Sequence, residues 1–289
     1  LEALFVTLQK ILPKRFLSDC VGALTRIQAG ALTHTVIRAF MRFYPVELRE
    51  AEHTVVTDYP SFNAFFTRAL GPGARPQPEG ADEIACSADG VVSALGRIEQ
   101  DSLLQAKGVD YATVDLFAGD SALADYFAEG SYQTIYLAPH NYHRVHMPLS
   151  GKACALRYIP GALFSVNAVT TRRLPGLFCQ NERVAVVFQH QRGYFALIMV
   201  GAMNVGSIQL TLPGEGGFRN RLQASQQPLQ TYPLDGPVLN RGDEFGRFNM
   251  GSTVIFLASR DLLRLDENLD HGSHVQVGMR IGKLIDGAT

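Results

Sequence analysis

The N-terminal stretch alternates apolar and polar positions with the period of a helix. Leu1, Leu4, Phe5, Leu8, Ile11 and Leu12 recur at helical spacing, and Pro13 ends the run. Ser18 is placed to cap a second helix carrying Val21, Leu24 and Ile27. Thr33 is placed to cap a third, carrying Val36, Ile37, Phe40 and Met41. A short helix is predicted over 61–66. The run 71–78 is rich in Gly and Pro and reads as a loop, so the division expected is 1–70, helical, and 71–289, β-rich. Beyond it, β-prone runs take over at 91–98, 134–137, 184–188, 194–200, 205–210 and 253–257. Gln191-Arg192-Gly193 between two of them is a hairpin signal. Residues 212–236, rich in Gly, Pro, Gln and Asn, read as a long loop. The fold class predicted is α+β: N-terminal amphipathic helices, then a β-rich domain.

Composition narrows the classes. Of 289 residues, 46% are hydrophobic and 18% charged, which suffices for a core. A net charge of −1 gives no global field for nucleic acid. Charge is uneven at the N-terminus, where Lys10, Lys14, Arg15, Arg26, Arg38 and Arg42 face only Glu2 and Asp19. Apolar stripes flanked by cations suit helices lying on anionic lipid, but amphipathicity is common in globular helices, so packing on the rest of the chain is the reading favoured at this point. Cys20, Cys86, Cys154 and Cys179 form no CxxC pair, so reduced thiols and an intracellular setting are expected. No apolar run reaches bilayer length and no signal-peptide pattern opens the chain, so a soluble or membrane-surface protein is expected.

Four segments could carry chemistry. Ser87-Ala88-Asp89-Gly90 precedes a strand and, alone, reads as a turn. His140, His143 and His146 are spaced by three, which suits acid–base work. As a metal signal that spacing is weak without Cys, Asp or Glu partners, and no metal is assigned. Gly161 to Asn167 forms a loop containing Ser165. Phe248-Asn249-Met250-Gly251-Ser252-Thr253-Val254 enters a strand. Together they allow an aspartate (Asp89) that fixes the tautomer of His146, and a histidine that takes the proton of Ser252. A serine hydrolase could use the same set, although the GxSxG elbow is missing around Ser252.

These segments resemble one family in order and content. Met250-Gly251-Ser252-Thr253 is similar to the Leu-Gly-Ser-Thr self-cleavage motif of phosphatidylserine decarboxylases, with Met for Leu. Tyr142 to His146 and Ala88-Asp89-Gly90 resemble its histidine and aspartate motifs. Phe62 to Arg68, Gln105 to Gly108, Pro160 to Asn167 and Asn181 to Val184 also match its pattern. His140-Asn141 replaces the Arg-Asp usual in the bacterial, membrane-associated form, which the chain otherwise resembles most.

The resemblance implies cleavage between Gly251 and Ser252, with Ser252 becoming a covalent pyruvoyl cofactor. It assigns Asp89 and His146 to the cleavage, His143 to a place beside the pyruvoyl group, and Ser165 to substrate contact. The implied partners are phosphatidylserine, an anionic membrane surface, and the β and α chains of one precursor. No nucleic acid is implied, and the oligomeric state stays open, a homodimer included. The implied location is peripheral, on the cytoplasmic face of a bacterial inner membrane. A lipid substrate turns the reading of the N-terminal helices toward the membrane surface. A serine hydrolase and a non-catalytic lipid-binding module remain the alternatives.

Overall fold

The computed structural model describes residues 2–106, 109–203, 208–212, 230–233, 236–249 and 252–286. Three helices open the chain: α1 (Glu2–Ile11), α2 (Lys14–Leu24) and α3 (Ala31–Phe43). The short helix predicted over 61–66 follows as α4 (Phe62–Phe66), capped by Ser61, whose hydroxyl accepts from Ala64 N–H at 3.1 Å. Two expected caps fall elsewhere. Helix α2 begins straight after Pro13, which leaves Ser18 buried inside it. Helix α3 starts after Gly30, with Thr33 inside its first turn. The Thr33 hydroxyl instead turns back to the incoming chain and accepts from Ala29 N–H at 3.0 Å.

The β-rich part is organised by one antiparallel sheet of nine strands. Its path runs Gln230–Pro233, Gly151–Ile159, Arg183–His190, Gly193–Val200, Ser252–Ala258, Ser131–Leu137, Gly90–Arg97, His274–Val275, with Val238–Leu239 beside Gly151–Ile159. The hairpin predicted at 191–193 joins two of these, with His190 opposite Gly193. Both faces are covered. Val184, Val186 and Phe188 point into one apolar core, and Ala185 and Val187 into another. Full burial on both sides is why these segments read as continuous apolar runs rather than alternating ones.

Of the expected 205–210 strand, Ile208–Leu210 is seen, and residues 205–207 lie outside the described residues. The expected long loop 212–236 contains a strand, Gln230–Pro233, while 213–229 and 234–235 lie outside the described residues.

A three-stranded sheet, Ile208–Leu210, Glu244–Phe248 and Arg144–His146, packs beside the large one. A third core of Ile37, Val46, Leu48, Phe62, Phe65 and Phe66 joins α3 to α4. Through α4 the N-terminal helices therefore reach the histidine strand: the Phe66 ring stacks on His143, with centroids 4.1 Å apart at 17°.

Candidate active site

Backbone pairing gathers the candidate residues. His146 N–H donates to Ser87 O at 2.8 Å, which places the histidine strand beside the segment ending in Asp89. On its other side, Arg144–His146 pairs with Glu244–Phe248, and Phe248 N–H donates to His143 O at 2.9 Å. Asn249 is tied to α4 by the Asn63 side-chain amide at 3.2 Å. The chain then crosses to the large sheet and enters it at Ser252, which stands opposite Leu137. Met250 and Gly251 lie outside the described residues, and so does the cleavage bond expected at Gly251. Four residues of chain span at most about 14 Å, so Ser252 stays close to Phe248 and to His143, which Phe248 contacts.

His146 has both ring nitrogens engaged. Nδ1 lies 2.8 Å from the carbonyl oxygen of Gly242, and Nε2 lies 2.9 Å from the hydroxyl of Tyr142. A carbonyl only accepts, so Nδ1 carries the proton and Nε2 accepts from Tyr142. Burial lowers the imidazole pKa, against a smaller upward pull from Gly242 O, and the ring is neutral near pH 7. Burial also pushes the Tyr142 hydroxyl up to about 12, so it stays protonated and donates. Gly242 has φ +89°, and a Cβ there would stand 2.9 Å from the Gln77 side chain, so the turn that presents this carbonyl requires glycine.

Asp89 is buried and held by other partners. Arg75 grips both carboxylate oxygens, Nε at 3.2 Å and Nη2 at 2.6 Å, and Val277 N–H donates to Oδ1 at 2.8 Å. Arg75 also pairs with Glu50 at 2.8 Å. The tautomer of His146 is thus fixed by Gly242 O, where the sequence reading placed Asp89; the carboxylate acts on the histidine through its field. Gly90 follows Asp89 because the strand Ser131–Leu137 passes too close for a side chain: a Cβ would meet Tyr136 O at 2.3 Å.

His143 is fully buried, and among the described residues neither ring nitrogen has a hydrogen-bond partner. The carbonyls of Pro139 and Ala138 pull on the ring without making a well-formed bond. Burial, with the Arg68 cation adding to it, pushes its pKa down to about 3. A neutral imidazole with two unpartnered buried nitrogens is an expensive arrangement in a finished core. It is an expected one where a reacting group belongs.

Beside it lies a cavity of about 220 Å³. Phe40 of α3, Tyr44 just after it, Phe66, Tyr136, Leu137 and Ser165 line it. Leu137 is the ladder partner of Ser252, so the cavity adjoins the position expected to react. Ser165 sits on a loop held from the core by Asn181. The Asn181 amide accepts from Phe164 N–H at 3.0 Å and donates to Phe164 O at 2.9 Å. Among the described residues, no three His, Cys, Asp or Glu side chains gather in a way that could hold a metal ion.

Sequence reading gave no role to Tyr142, Arg75 or Gly242. Tyr142 stood inside the histidine motif; Arg75 and Gly242 sit in loops whose partners lie far along the chain, beyond any local pattern.

A buried histidine, a half-buried one and a serine at a strand entry, gathered beside a cavity, define an enzyme-like site. The family model of phosphatidylserine decarboxylase matches residues 62–283, and a model described as PSD matches residues 4–45. A phosphatidylserine decarboxylase proenzyme of Alcanivorax borkumensis is 42% identical over 282 residues, covering 97% of this chain and 96% of the relative. One of Alkalilimnicola ehrlichii is 44% identical over 271 residues, covering 93% and 92%. The chain belongs to the phosphatidylserine decarboxylase family.

Proposed function

We propose that the chain cuts itself between Gly251 and Ser252 and then decarboxylates phosphatidylserine to phosphatidylethanolamine and CO2. The observation that carries this is the pairing of the His143–His146 segment with the strand leading to Ser252, beside a cavity at Leu137.

In the cleavage, His146 Nε2 is the base. Tyr142 gives up its hydrogen bond, and the ring takes the Ser252 hydroxyl proton. The serine oxygen attacks the Gly251 carbonyl carbon, and the amide becomes an ester with a free amine on residue 252. Loss of the α-proton then expels the Gly251 carboxylate and leaves dehydroalanine. Tautomerisation and addition of water release ammonia and leave a pyruvoyl group at position 252. The β chain, 1–251, keeps the α chain, 252–289, because Ser252–Ala258 lies between two neighbours, Ser131–Leu137 and Gly193–Val200.

The residues present fit a pyruvoyl group, since His143 offers two unpartnered buried nitrogens and the cavity adjoins the partner of Ser252. Such a group supplies an electron sink that side chains lack. His143, neutral because of its burial, is suited to hold or pass a proton at the substrate Cα. Ser165 lines the space left for the serine head group.

The same reading places the enzyme on a bilayer. Ile11, Phe16, Leu24, Leu32 and Phe43 of α1–α3 are exposed. An open apolar groove of about 550 Å³, lined by α3 and the connection that leads into it, is the place for an acyl chain, and Phe40 separates it from the head-group cavity. No described helix is long and apolar enough to cross a membrane. In this reading the attachment is peripheral, on the cytoplasmic face of a bacterial inner membrane. Residues 1–70 are the membrane-associating part and 71–289 the catalytic part.

The test is the intact mass of denatured protein beside a Ser252→Ala control. Two chains are expected, the smaller lighter by one ammonia than a serine-started peptide. A single chain identical in length to the control overturns the reading.

A further inference from the structure

Helix α1 buries a glutamine where a packing helix would bury an apolar residue. Among its described side chains only Val6 and Gln9 are buried, and Gln9 is 1% exposed. Phe5, Leu8 and Ile11 of the same helix are exposed. A buried amide is tolerated when both ends are bonded, and here both ends are. Gln9 Oε1 accepts from Ser165 N–H at 2.8 Å, and Nε2 donates to Thr170 Oγ1 at 3.1 Å.

The start of α2 adds two further contacts to the same loop. The Lys14 ammonium lies 4.3 Å from the centroid of the Phe164 ring. Arg15 Nη2 donates to Gly161 O at 2.9 Å. So the loop 161–165 is held by Asn181 from the core side and by α1 and α2 from the outside.

We infer that Gln9 is a positioning residue that couples the seating of α1 on a bilayer to the placement of Ser165 in the head-group cavity. A ten-residue helix is marginal by itself in water, and little of α1 is buried here. A bilayer that takes up Phe5, Leu8 and Ile11 adds stability to the docked helix. Docking and the bond from Ser165 N–H to Gln9 Oε1 form together, so by linkage the membrane orders the loop. The inference rests on the readings that Ser165 contacts substrate and that α1 meets the membrane.

The test has two arms on the full, processed protein. In the first, amide hydrogen exchange is followed over 161–167, with and without phosphatidylglycerol vesicles. Vesicles are expected to slow exchange several-fold in the parent and to leave Gln9→Met unchanged. Equal exchange with and without vesicles in a parent that co-sediments with them overturns the coupling. A parent that does not co-sediment overturns the membrane reading, and the coupling with it. In the second arm, kinetics are measured on a short-chain phosphatidylserine kept monomeric. Gln9→Met is expected to raise KM about tenfold, the loss of one hydrogen bond, with kcat within about twofold. An unchanged KM for Gln9→Met beside a raised KM for Ser165→Ala overturns the coupling alone. An unchanged KM for Ser165→Ala overturns the Ser165 reading and the coupling together.

Discussion

The Tyr142 hydroxyl lies 2.9 Å from Nε2 of His146 and occupies the lone pair that would take a proton from serine. The ring nitrogen behind it is fixed by Gly242 O, so the tautomer is correct for a base but the base is capped. Tyr142→Phe keeps the aromatic ring beside the imidazole, at 5.7 Å between centroids, and removes the cap. The expected result is self-cleavage faster by a few-fold at pH 7, read as the half-time of the precursor band. A hundredfold slowing would instead make the tyrosine a proton relay.

Arg75 and Asp89 form a bidentate pair whose side chains are only 11% and 8% exposed. Arg75→Met leaves the carboxylate buried with Val277 N–H as its remaining described donor. Removing one partner of such a pair costs about 3 kcal/mol. Urea unfolding in the Ser252→Ala background, where every chain is intact, measures it. Precursor cleavage is expected to slow as well, because the field that Asp89 directs at His146 moves with the carboxylate.

His143 sets a pH dependence of stability. Its pKa is about 3 in the fold against 6.5 for the ordinary imidazole. Between those values the unfolded chain binds the extra proton, so stability is complete above pH 6.5 and falls as pH drops toward 3. At 1.36 kcal/mol per unit, about 2 kcal/mol is lost by pH 5. Comparing urea midpoints at pH 7 and pH 5 for Ser252→Ala, with and without His143→Gln, isolates this contribution. A difference no smaller in the His143→Gln protein would show that the histidine is not its source.

Ile11 and Phe43 are 77% and 81% exposed, so charging either leaves the packed core intact. Each contributes about 2 kcal/mol if buried in lipid, close to thirtyfold in affinity. Ile11→Asp and Phe43→Asp are each expected to weaken co-sedimentation with phosphatidylglycerol vesicles by about that factor, at an unchanged melting temperature.

Local pattern carried the fold a long way. The three N-terminal helices, the 191–193 hairpin and the strands at 134–137 and 253–257 were all legible, because period and punctuation are properties of neighbouring residues. The caps of α2 and α3 were misplaced, since those helices begin straight after Pro13 and Gly30, which puts Ser18 and Thr33 inside them. The site was legible as motifs and not as geometry. His143 and His146 stood out by residue type. That Gly242 would orient His146 could not be read, because 96 residues separate the two. Gln9 was hidden differently: a single polar position in an amphipathic helix looks solvated until the loop it meets is known.

The strand Ser252–Ala258 has a further meaning for how the molecule lives. Val254, Ile255, Phe256 and Leu257 are all but fully buried, between neighbours on either side. Their burial is worth on the order of 8 kcal/mol. While the chain is continuous, insertion of that strand is a unimolecular folding step. Under the proposed cleavage before Ser252, its return would be a bimolecular encounter set by concentration. The proposal thus makes the precursor the species that folds, and the processed enzyme one that persists by slow unfolding rather than by ready refolding.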